Sequence, residues 1–245
     1  MRRILLINPN TTDGITQLLG AHARKTAAPE DQFILATARF GAPYIACEAS
    51  YAVASHAVLD AWAAAMQTDQ PRFDAVLIGC FGDPGLLALR QFSQLPVTGL
   101  AEAAFMAAAA HGRFAIVTGG ERWKPMLERL VHTLGFADRM AGIHTVAPSG
   151  AELAANPEAA QTLLAQACAD CAQRLGADSV ILGGAGLAGM AAQVQERVPV
   201  PVIDSVQAGV AHALHSCQRE TLQKWPVFAF PWNGVSDALR SSGLY

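Results

Sequence analysis

Charged residues are scarce in this chain, and neither sign of charge dominates. Its 245 residues include 17 Lys or Arg and 20 Asp or Glu, so that the formal net charge is −3 at neutral pH. The seven His residues are scattered along the sequence. Because binding to nucleic acid requires basic residues clustered on one face, this composition argues against nucleic acid as a partner. We expect the partners to be small molecules, or further copies of the chain in a homo-oligomer.

Long hydrophobic runs are also missing. The first apolar run, Ile4 to Ile7, is too short for the core of a signal peptide, and no small-residue cleavage site follows it. The Ala-rich stretch from Ala103 to Ala110 is well short of the roughly 20 residues that span a membrane. We therefore expect no signal peptide, no membrane association and a cytoplasmic location.

Cysteine is rare, and its number is odd. The five Cys residues do not show the spacing of a disulfide framework, which favours a reducing, cytoplasmic compartment. Cys168 and Cys171 have the CxxC spacing, but they lie in a predicted helix with no second pair of ligands nearby. Because a structural zinc site needs four ligands, we interpret these two as packed side chains and expect no metal site.

Hydrophobic residues, by contrast, make up 52% of the chain, which is enough for a substantial core. The predicted strands are Arg3–Ile7, Gln32–Thr37, Ala75–Ile78, Val97–Gly99, Phe114–Val117, Gly142–Val146, Val180–Leu182 and Val200–Ile203. The predicted helices are Asp13–Lys25, Ser50–Met66, Pro84–Gln91, Glu102–His111, Glu121–Leu134, Pro157–Leu175 and Ser205–Cys217. Apolar strands that are each followed by a helix predict an α/β fold, with parallel sheets covered by helices on both faces.

The sequence also repeats itself. The segment Asp74 to Cys80 reappears as Asp178 to Gly184, and each copy is followed by a Gly-rich turn, a helix and a strand that carries Pro-Val. The repeat predicts two pseudo-symmetric parallel-sheet α/β domains, with the active site in the cleft between them. We assign residues 1–98 and 205–245 to the first domain and residues 99–204 to the second. Cys80 and Gly184 are then equivalent positions.

Loops at the ends of the predicted strands are the expected ligand site, because ligands bind outside the carboxyl ends of parallel strands. Those loops carry Asn8–Thr11, Cys80–Asp83, Thr118–Gly120 and Gly184–Gly186. The side-chain amides and backbone N–H groups of the first loop can bind a ligand oxygen, or they can form a turn and a helix cap. Both roles can hold at once.

Cys80 is the candidate reactive group. A free Cys is usually a small, inert, buried side chain. Here, however, Cys80 ends a strand, and Asp83-Pro84 is typical of a helix start, with Asp as the N-cap and Pro at the first helical position. A thiol just ahead of a helix N-terminus has its thiolate form stabilised. Because Gly79 and Gly82 let the backbone approach a ligand closely, we favour the reactive interpretation.

A rival motif lies in the second repeat. Gly184, Gly186 and Gly189 spell GxGxxG after a strand, and Asp204 follows at the distance expected of a ribose-binding acid. This pattern is typical of an NAD(P)-dependent oxidoreductase. It is weakened by its late place in the chain and by its repeat partner around Cys80, which is not a dinucleotide fingerprint. A non-catalytic ligand-binding protein is a further alternative from a different class.

Aromatic residues are few, and several concentrate near the C-terminus, between Trp225 and Trp232. Trp and Phe are enriched at the cores of subunit interfaces, and they also pack readily within a domain. The tail is therefore expected to pack either on its own domain or against a second subunit, and the sequence leaves both options open.

Three segments together resemble one family. Ile7–Thr11, Gly79–Leu86 and Val202–Val206 are similar to the corresponding segments of hydantoin racemases and allantoin racemases, in the aspartate/glutamate/hydantoin racemase superfamily. The resemblance extends over nearly the whole chain up to about Cys217, and the segment CFGDPG is its most specific part. It implies an isomerase with two pseudo-symmetric α/β domains, an active site between them, and no metal or organic cofactor.

The resemblance also implies which residues act. Members of the family use two cysteines, one in each domain, on opposite faces of the stereocentre of the substrate. Cys80 matches the first of them, and Asn10 and Thr118 match positions that hold polar groups of the substrate. The neighbouring residues implied in substrate binding are Thr11, Phe81, Gly82, Gly119 and Ala185.

One position departs from the family pattern. Where family members have Leu-Gly-Cys-Ala-Gly, this chain has Gly184 in place of the second cysteine. We keep Gly184 as a site residue whose backbone would help to bind a developing oxyanion. Three hypotheses follow: a racemase in which water or another acid replaces the second thiol, a one-sided enzyme resembling arylmalonate decarboxylase, and a weakly active paralogue. The substrate would be a hydantoin, allantoin or an amino-acid-like carboxylate.

Overall fold

Two compact units make up the chain in the computed structural model, which describes residues 1–67, 72–147, 156–217 and 232–242. The first unit joins Met1–Gly79, Asp83–Thr98 and the described residues from Ala211 onward. The second unit joins Cys80–Gly82 and Gly99–Val210. The domain boundaries expected at residues 98 and 205 stay a prediction.

The first unit is built on a four-stranded sheet with the strand order β2-β1-β3-β4. Its strands are β1 (Arg3–Asn8), β2 (Gln32–Thr37), β3 (Ala75–Ile78) and β4 (Val97–Gly99). Its helices are α1 (Asp13–Thr26), α2 (Glu48–Met66), α3 (Leu86–Phe92) and, near the C-terminus, α9 (Asp237–Ser242). β1 pairs in parallel with both β2 and β3, and its four residues from Ile4 to Ile7 are fully buried. Complete burial of such side chains is the main stabilising contribution to the sheet, at about 1.5–3 kcal/mol each.

The second unit repeats this arrangement, with the strand order β6-β5-β7-β8. Its strands are β5 (Phe114–Gly119), β6 (Met140–Val146), β7 (Ser179–Gly183) and β8 (Val202–Asp204). Its helices are α4 (Leu100–Ala109), α5 (Trp123–Thr133), α6 (Pro157–Leu175), α7 (Met190–Val194) and α8 (Ser205–Ser216), whose last residues belong to the first unit. Both sheets are parallel and have the same strand order within their unit. The predicted α/β fold class is therefore confirmed.

The predicted start of α3 is wrong. The sequence indicated a helix from Pro84 with Asp83 as its N-cap, whereas α3 begins at Leu86. Gly85, the residue before it, is left-handed with φ 79°, and Asp83 also has a positive φ of 50°. An N-cap residue has an extended backbone, so Asp83 cannot fill that role in this conformation. The thiol of Cys80 is thus followed by a tight turn and not directly by a helix.

The CxxC pair lies in the core of the second unit. Cys168 is fully buried and Cys171 is 3% exposed, and both pack in one apolar cluster with Leu164, Leu182 and Val194. Within the described ranges, no three His, Cys, Asp or Glu side chains are grouped so that they could hold a metal ion. The structure thus supports the packing interpretation of the two cysteines.

Two further sequence features have structural counterparts. None of the helices in the described part of the chain is both long enough and apolar enough to cross a membrane. Most of the aromatic stretch between Trp225 and Trp232 lies outside the described residues. Trp232 itself is described, and its ring meets that of Phe92 edge-on with 5.5 Å between centroids, so this end of the stretch packs within the first unit.

An ion pair between a buried carboxylate and an exposed arginine links the end of β2 to α2 in the first unit. Asp60, on α2, has a side chain only 2% exposed, and Arg39 follows β2. The guanidinium donates through Nε at 2.9 Å and through Nη2 at 2.7 Å. Burial by itself raises the pKa of the Asp60 carboxyl, but the hydrogen bonds from Arg39 and Ser236 and the charge of Arg39 together lower it below its usual value.

We predict that Asp60→Asn lowers the free energy of unfolding by about 1–3 kcal/mol at pH 7, since a charge-assisted hydrogen-bond pair is lost. Because the pKa of Asp60 is lower in the folded state, its contribution is fully present above the unfolded value of about 4. It is lost as the pH falls through the lower folded pKa. Thermal melting from pH 7 down to pH 3 should show the difference from wild type shrinking.

The matched control is Asp237→Asn. Asp237 also pairs with an arginine, Arg240, but its side chain is 93% exposed. Exposed pairs contribute little, so this variant should stay within about 0.5 kcal/mol of wild type at every pH. Equal melting curves for the two variants at pH 7, or an undiminished Asp60→Asn effect at pH 3, would contradict the assignment.

Candidate active site

The loop that carries Cys80 leaves β3 and packs in the second unit. Cys80 is 9% exposed and Phe81 is 3% exposed. The Phe81 ring meets Phe105 of α4 edge-on, with 6.1 Å between ring centroids and 84° between ring planes. Residues 80–82 are therefore held in place by the second unit, although the strand that delivers them belongs to the first.

Two glycines make this packing sterically feasible. A Cβ atom at Gly183, the last residue of β7, would overlap the Phe81 ring. A Cβ atom at Gly82 would lie 2.5 Å from the indole of Trp123. The ring of Phe81 thus lies against the backbone of Gly183, and Gly82 lies against the six-membered ring of Trp123. Sequence reasoning missed Gly183 and Trp123, although the double glycine at positions 183 and 184 was a signal of close backbone approach.

Thr118 is hydrogen-bonded to the same glycine, Gly183. It lies near the end of β5, next to β7 in the sheet, and is 5% exposed. Its hydroxyl donates to the carbonyl oxygen of Gly183 at 2.7 Å. The proton of that hydroxyl is therefore already used, and the lone pairs of Oγ1 are what Thr118 can still offer a ligand. The predicted residues Phe81 and Thr118 thus meet at Gly183, and Gly119, which follows Thr118, is buried as well.

The loop after β7 can offer a ligand its backbone N–H groups, since its residues Gly184, Ala185 and Gly186 have no polar side chains. Gly184 has φ 143°, and its N–H donates to Oγ of Ser205 at 3.2 Å. The N–H of Gly184 is therefore not available to an oxyanion. The next two N–H groups, of Ala185 and Gly186, have no acceptor among the residues that the structure describes. Both residues are half-buried, so these two donors are the ones this loop can direct at a ligand.

Asp204 has a structural role that conflicts with ribose binding. It is 5% exposed, and its Oδ2 accepts from the N–H of Gly189 at 2.6 Å. Its Oδ1 accepts from Val206 at 2.8 Å and from Gln207 at 3.1 Å, in the first turn of α8. A short 3₁₀ turn follows β7, whereas a dinucleotide site has a helix N-terminus there. The geometry argues against the oxidoreductase alternative.

The loop that carries Asn10 lies in the first unit. Its centre is Asn8, fully buried, whose amide donates to Thr12 O at 3.1 Å and to Thr16 Oγ1 at 3.0 Å. The amide oxygen of Asn10 accepts from Asn8 and from the N–H of Thr12, and the N–H of Thr11 donates to Ala42 O. The turn-forming role is therefore present. The amide nitrogen of Asn10 has no acceptor within the described ranges, and its ligand role stays a prediction.

Three cysteines have raised thiol pKa values, with burial as the largest cause. Burial raises the pKa of Cys168 to about 12 and that of Cys171 to about 11. Burial also raises the pKa of Cys217 to about 11. A thiol with a pKa of 11 is ionised in about one molecule in 10⁴ at pH 7. Because the thiolate is the nucleophile, these three are poor candidates for catalysis, which leaves Cys80 and the half-buried Cys47.

A cavity of about 410 Å³ in the first unit is lined by the paired Arg39 and Asp60 and by Phe40, His56 and Ser236. None of the predicted site residues lines it.

Comparison with known proteins gives consistent matches. A model of the Asp/Glu/hydantoin racemase family matches residues 4–213. A hydantoin racemase from a Pseudomonas species is 35% identical over 213 residues, which cover 86% of this chain and 84% of the relative. Among solved structures, an allantoin racemase from Klebsiella pneumoniae has a TM-score of 0.81 and 35% identity, over 88% of this chain and 87% of that chain. An allantoin racemase from Pseudomonas fluorescens has a TM-score of 0.82 and 32% identity, over 87% and 89%.

We predict that iodoacetamide at neutral pH modifies Cys80 before Cys168, Cys171 and Cys217. The raised pKa values of those three thiols keep them protonated, and two of them are also almost fully buried. A Cys47→Ser background removes the half-buried thiol of Cys47 from the comparison and keeps a hydroxyl at the start of α2. Peptide mapping after limited alkylation is the measurement. First modification at any of the three other cysteines would refute the prediction.

Proposed function

We propose that this chain, which belongs to the Asp/Glu/hydantoin racemase family, inverts the stereocentre of a small substrate by proton transfer to and from the thiol of Cys80. The observation that supports it most is the placement of the Cys80 loop. Phe81 holds that loop against Gly183, next to the backbone donors of Ala185 and Gly186. A candidate base and a candidate oxyanion-binding loop therefore belong to one compact unit.

Removal of a proton from the stereocentre requires both the base and the oxyanion-binding loop. A hydrogen on a carbon between a carbonyl and a nitrogen is only weakly acidic. When the Cys80 thiolate removes it, the C–H bond breaks, an S–H bond forms, and the electron pair moves onto the carbonyl oxygen as an enolate. Hydrogen-bond donors that meet this oxygen lower the barrier because the negative charge is absent from the bound substrate and develops as the enolate forms. The unpaired N–H groups of Ala185 and Gly186 are suited to this role, and a lone pair of Thr118 Oγ1 can accept from a substrate N–H.

Inversion needs a proton from the other face of the enolate. Position 184, where the repeat and the family resemblance lead us to expect a second thiol, has no side chain. A Cβ built there meets only Leu187, at 3.6 Å, so the space beside it is open. We infer that a water molecule delivers the second proton. Cys80 then releases its proton, through solvent, to the hydroxide that this water has become, so that the thiolate and the water are both restored.

Cyclic ureides are the proposed substrate class. The relatives named above are a hydantoin racemase and allantoin racemases, and both names denote rings with a hydrogen on a carbon beside nitrogen. Amino-acid-like carboxylates are the second class to test. A one-sided enzyme would exchange the hydrogen without inversion, and a decarboxylase-like enzyme would instead act on an α-carboxylated analogue.

We predict that the wild-type protein in D₂O exchanges the stereocentre hydrogen of at least one member of a panel of hydantoins, allantoin and amino acids. Cys80→Ala should remove this exchange almost completely while changing the stability by no more than about 1–2 kcal/mol, since the side chain is small. Proton NMR measures the exchange, and chiral chromatography separates exchange from inversion. Many substrates of this class also exchange slowly without enzyme, so the rate without protein is subtracted.

The matched control is Cys217→Ser, which removes a thiol with a raised pKa and should keep wild-type exchange. A folded Cys80→Ala protein with wild-type exchange would eliminate Cys80 as the base. Exchange without inversion would support the one-sided alternative, and no exchange on any member of the panel would contradict the racemase proposal.

We also predict that Gly184→Cys raises the inversion rate, by up to the factor of about 10²–10⁴ that a positioned acid or base contributes. The open space beside position 184 can receive the side chain, but φ 143° strains any L-residue, so the melting temperature should fall. Assays run under reductant, because two nearby thiols can form a disulfide. A folded, reduced variant without any gain in inversion would count against a catalytic face at position 184.

A further inference from the structure

Two consecutive side chains hold both ends of the loop that follows β7. At one end, Gly184 donates its N–H to Oγ of Ser205, and at the other, Gly189 donates its N–H to Oδ2 of Asp204. Both glycines have positive φ, of 143° and 81°. Asp204 and Ser205 are themselves 5% and 1% exposed, so neither bond competes much with water.

The same carboxylate caps the helix that follows it. Oδ1 of Asp204 accepts from the N–H groups of Val206 and Gln207, so the side chain caps α8 with one oxygen and holds Gly189 with the other. The loop is thereby tied to the start of a 12-residue helix. Free glycines with positive φ would otherwise leave the directions of the Ala185 and Gly186 N–H groups poorly defined.

The first unit provides an internal comparison. Its strand β4 holds the same position in the sheet order as β8, and the repeated Pro-Val segments align Gly99 and Leu100 with Asp204 and Ser205. Gly99 precedes α4 without a side-chain capping bond, and neither residue has a polar side chain. Gly99 and Leu100 therefore lack the acceptor side chains that Asp204 and Ser205 supply to the loop after β7.

We propose that Asp204 and Ser205 are positioning residues of the racemase site, which fix the loop from Gly184 to Gly189 so that its backbone N–H groups meet the developing enolate oxygen. This inference rests on the proposed function. Neither side chain touches the reacting atoms in this role. Because a donor displaced by about 1 Å can cost up to 10²-fold in rate, removal of an anchor should reduce kcat more than it raises KM.

The test uses the full chain, with Ser205→Ala and Asp204→Asn as anchor variants. Ser216→Ala is the matched control, since Ser216 is on the same helix and is 3% exposed. Among the described residues its hydroxyl bonds within the helix, to His212 O at 2.8 Å. Ser205→Thr keeps a hydroxyl and serves as the rescue. Asn at position 204 can accept through one oxygen only, so it can cap α8 or hold Gly189 but not both.

Two readouts are needed. The first is kcat and KM for exchange on the best substrate of the panel, per folded molecule and well below the melting temperature. We expect Ser205→Ala to lose about 10- to 10²-fold in kcat with a small change in KM, Ser205→Thr to recover most of it, and Ser216→Ala to match wild type. The second is amide hydrogen exchange at Gly184 and Gly189, which should become faster in the corresponding variant.

The outcomes separate the two proposals. If Ser205→Ala and Ser216→Ala have the same kcat and KM, or if the amides of Gly184 and Gly189 keep wild-type protection in the variants, the positioning role is overturned. If the wild type is inactive on the whole panel, the proposed function fails instead. The amide readout then still counts for or against the anchoring of the loop, because it does not depend on turnover.

Discussion

The contact between the Phe81 ring and the backbone of Gly183 is the constraint on which the candidate site depends. It requires a residue without a side chain at the end of β7, and it determines where the neighbouring Cys80 can be. The hydroxyl of Thr118 then satisfies the carbonyl of the same glycine. The packing here has no room for a side chain, because a methyl group at position 183 would displace the ring of Phe81.

The two halves of the sequence repeat have the same sheet topology but carry different chemical groups on their equivalent loops. Each sheet has its first strand in the second position of the strand order, so equivalent loops come after equivalent strands. One loop carries a thiol, and the other carries only glycine and alanine, with a buried acid and a hydroxyl behind it. In the proposed racemase reaction, one group would move a proton and the backbone donors would bind the charge that develops on the enolate oxygen.

Much of the fold was predictable from the sequence, because apolar runs and their spacing report burial directly. The strands Gln32–Thr37, Ala75–Ile78 and Val97–Gly99 and the helix Pro157–Leu175 have the predicted bounds. The start of α3 was not predictable from capping preferences, since the left-handed Gly85 overrides the Asp83-Pro84 signal. Cys80 was singled out by the repeat and its glycine context. The roles of Gly183, Trp123 and Ser205 depend on contacts between residues distant in sequence, which no local pattern contains.

The distribution of thiol pKa values bears on how the protein responds to oxidants. Peroxides react with thiolates, and a raised pKa keeps a thiol protonated. Slow reaction is therefore expected at the three cysteines with raised pKa values, Cys168, Cys171 and Cys217, of which the first two belong to the core. The core is therefore protected from the polar sulfur acids that would disrupt its packing. Peroxide would then react first at the cysteines outside that group, and such oxidation would leave the packing of the core intact.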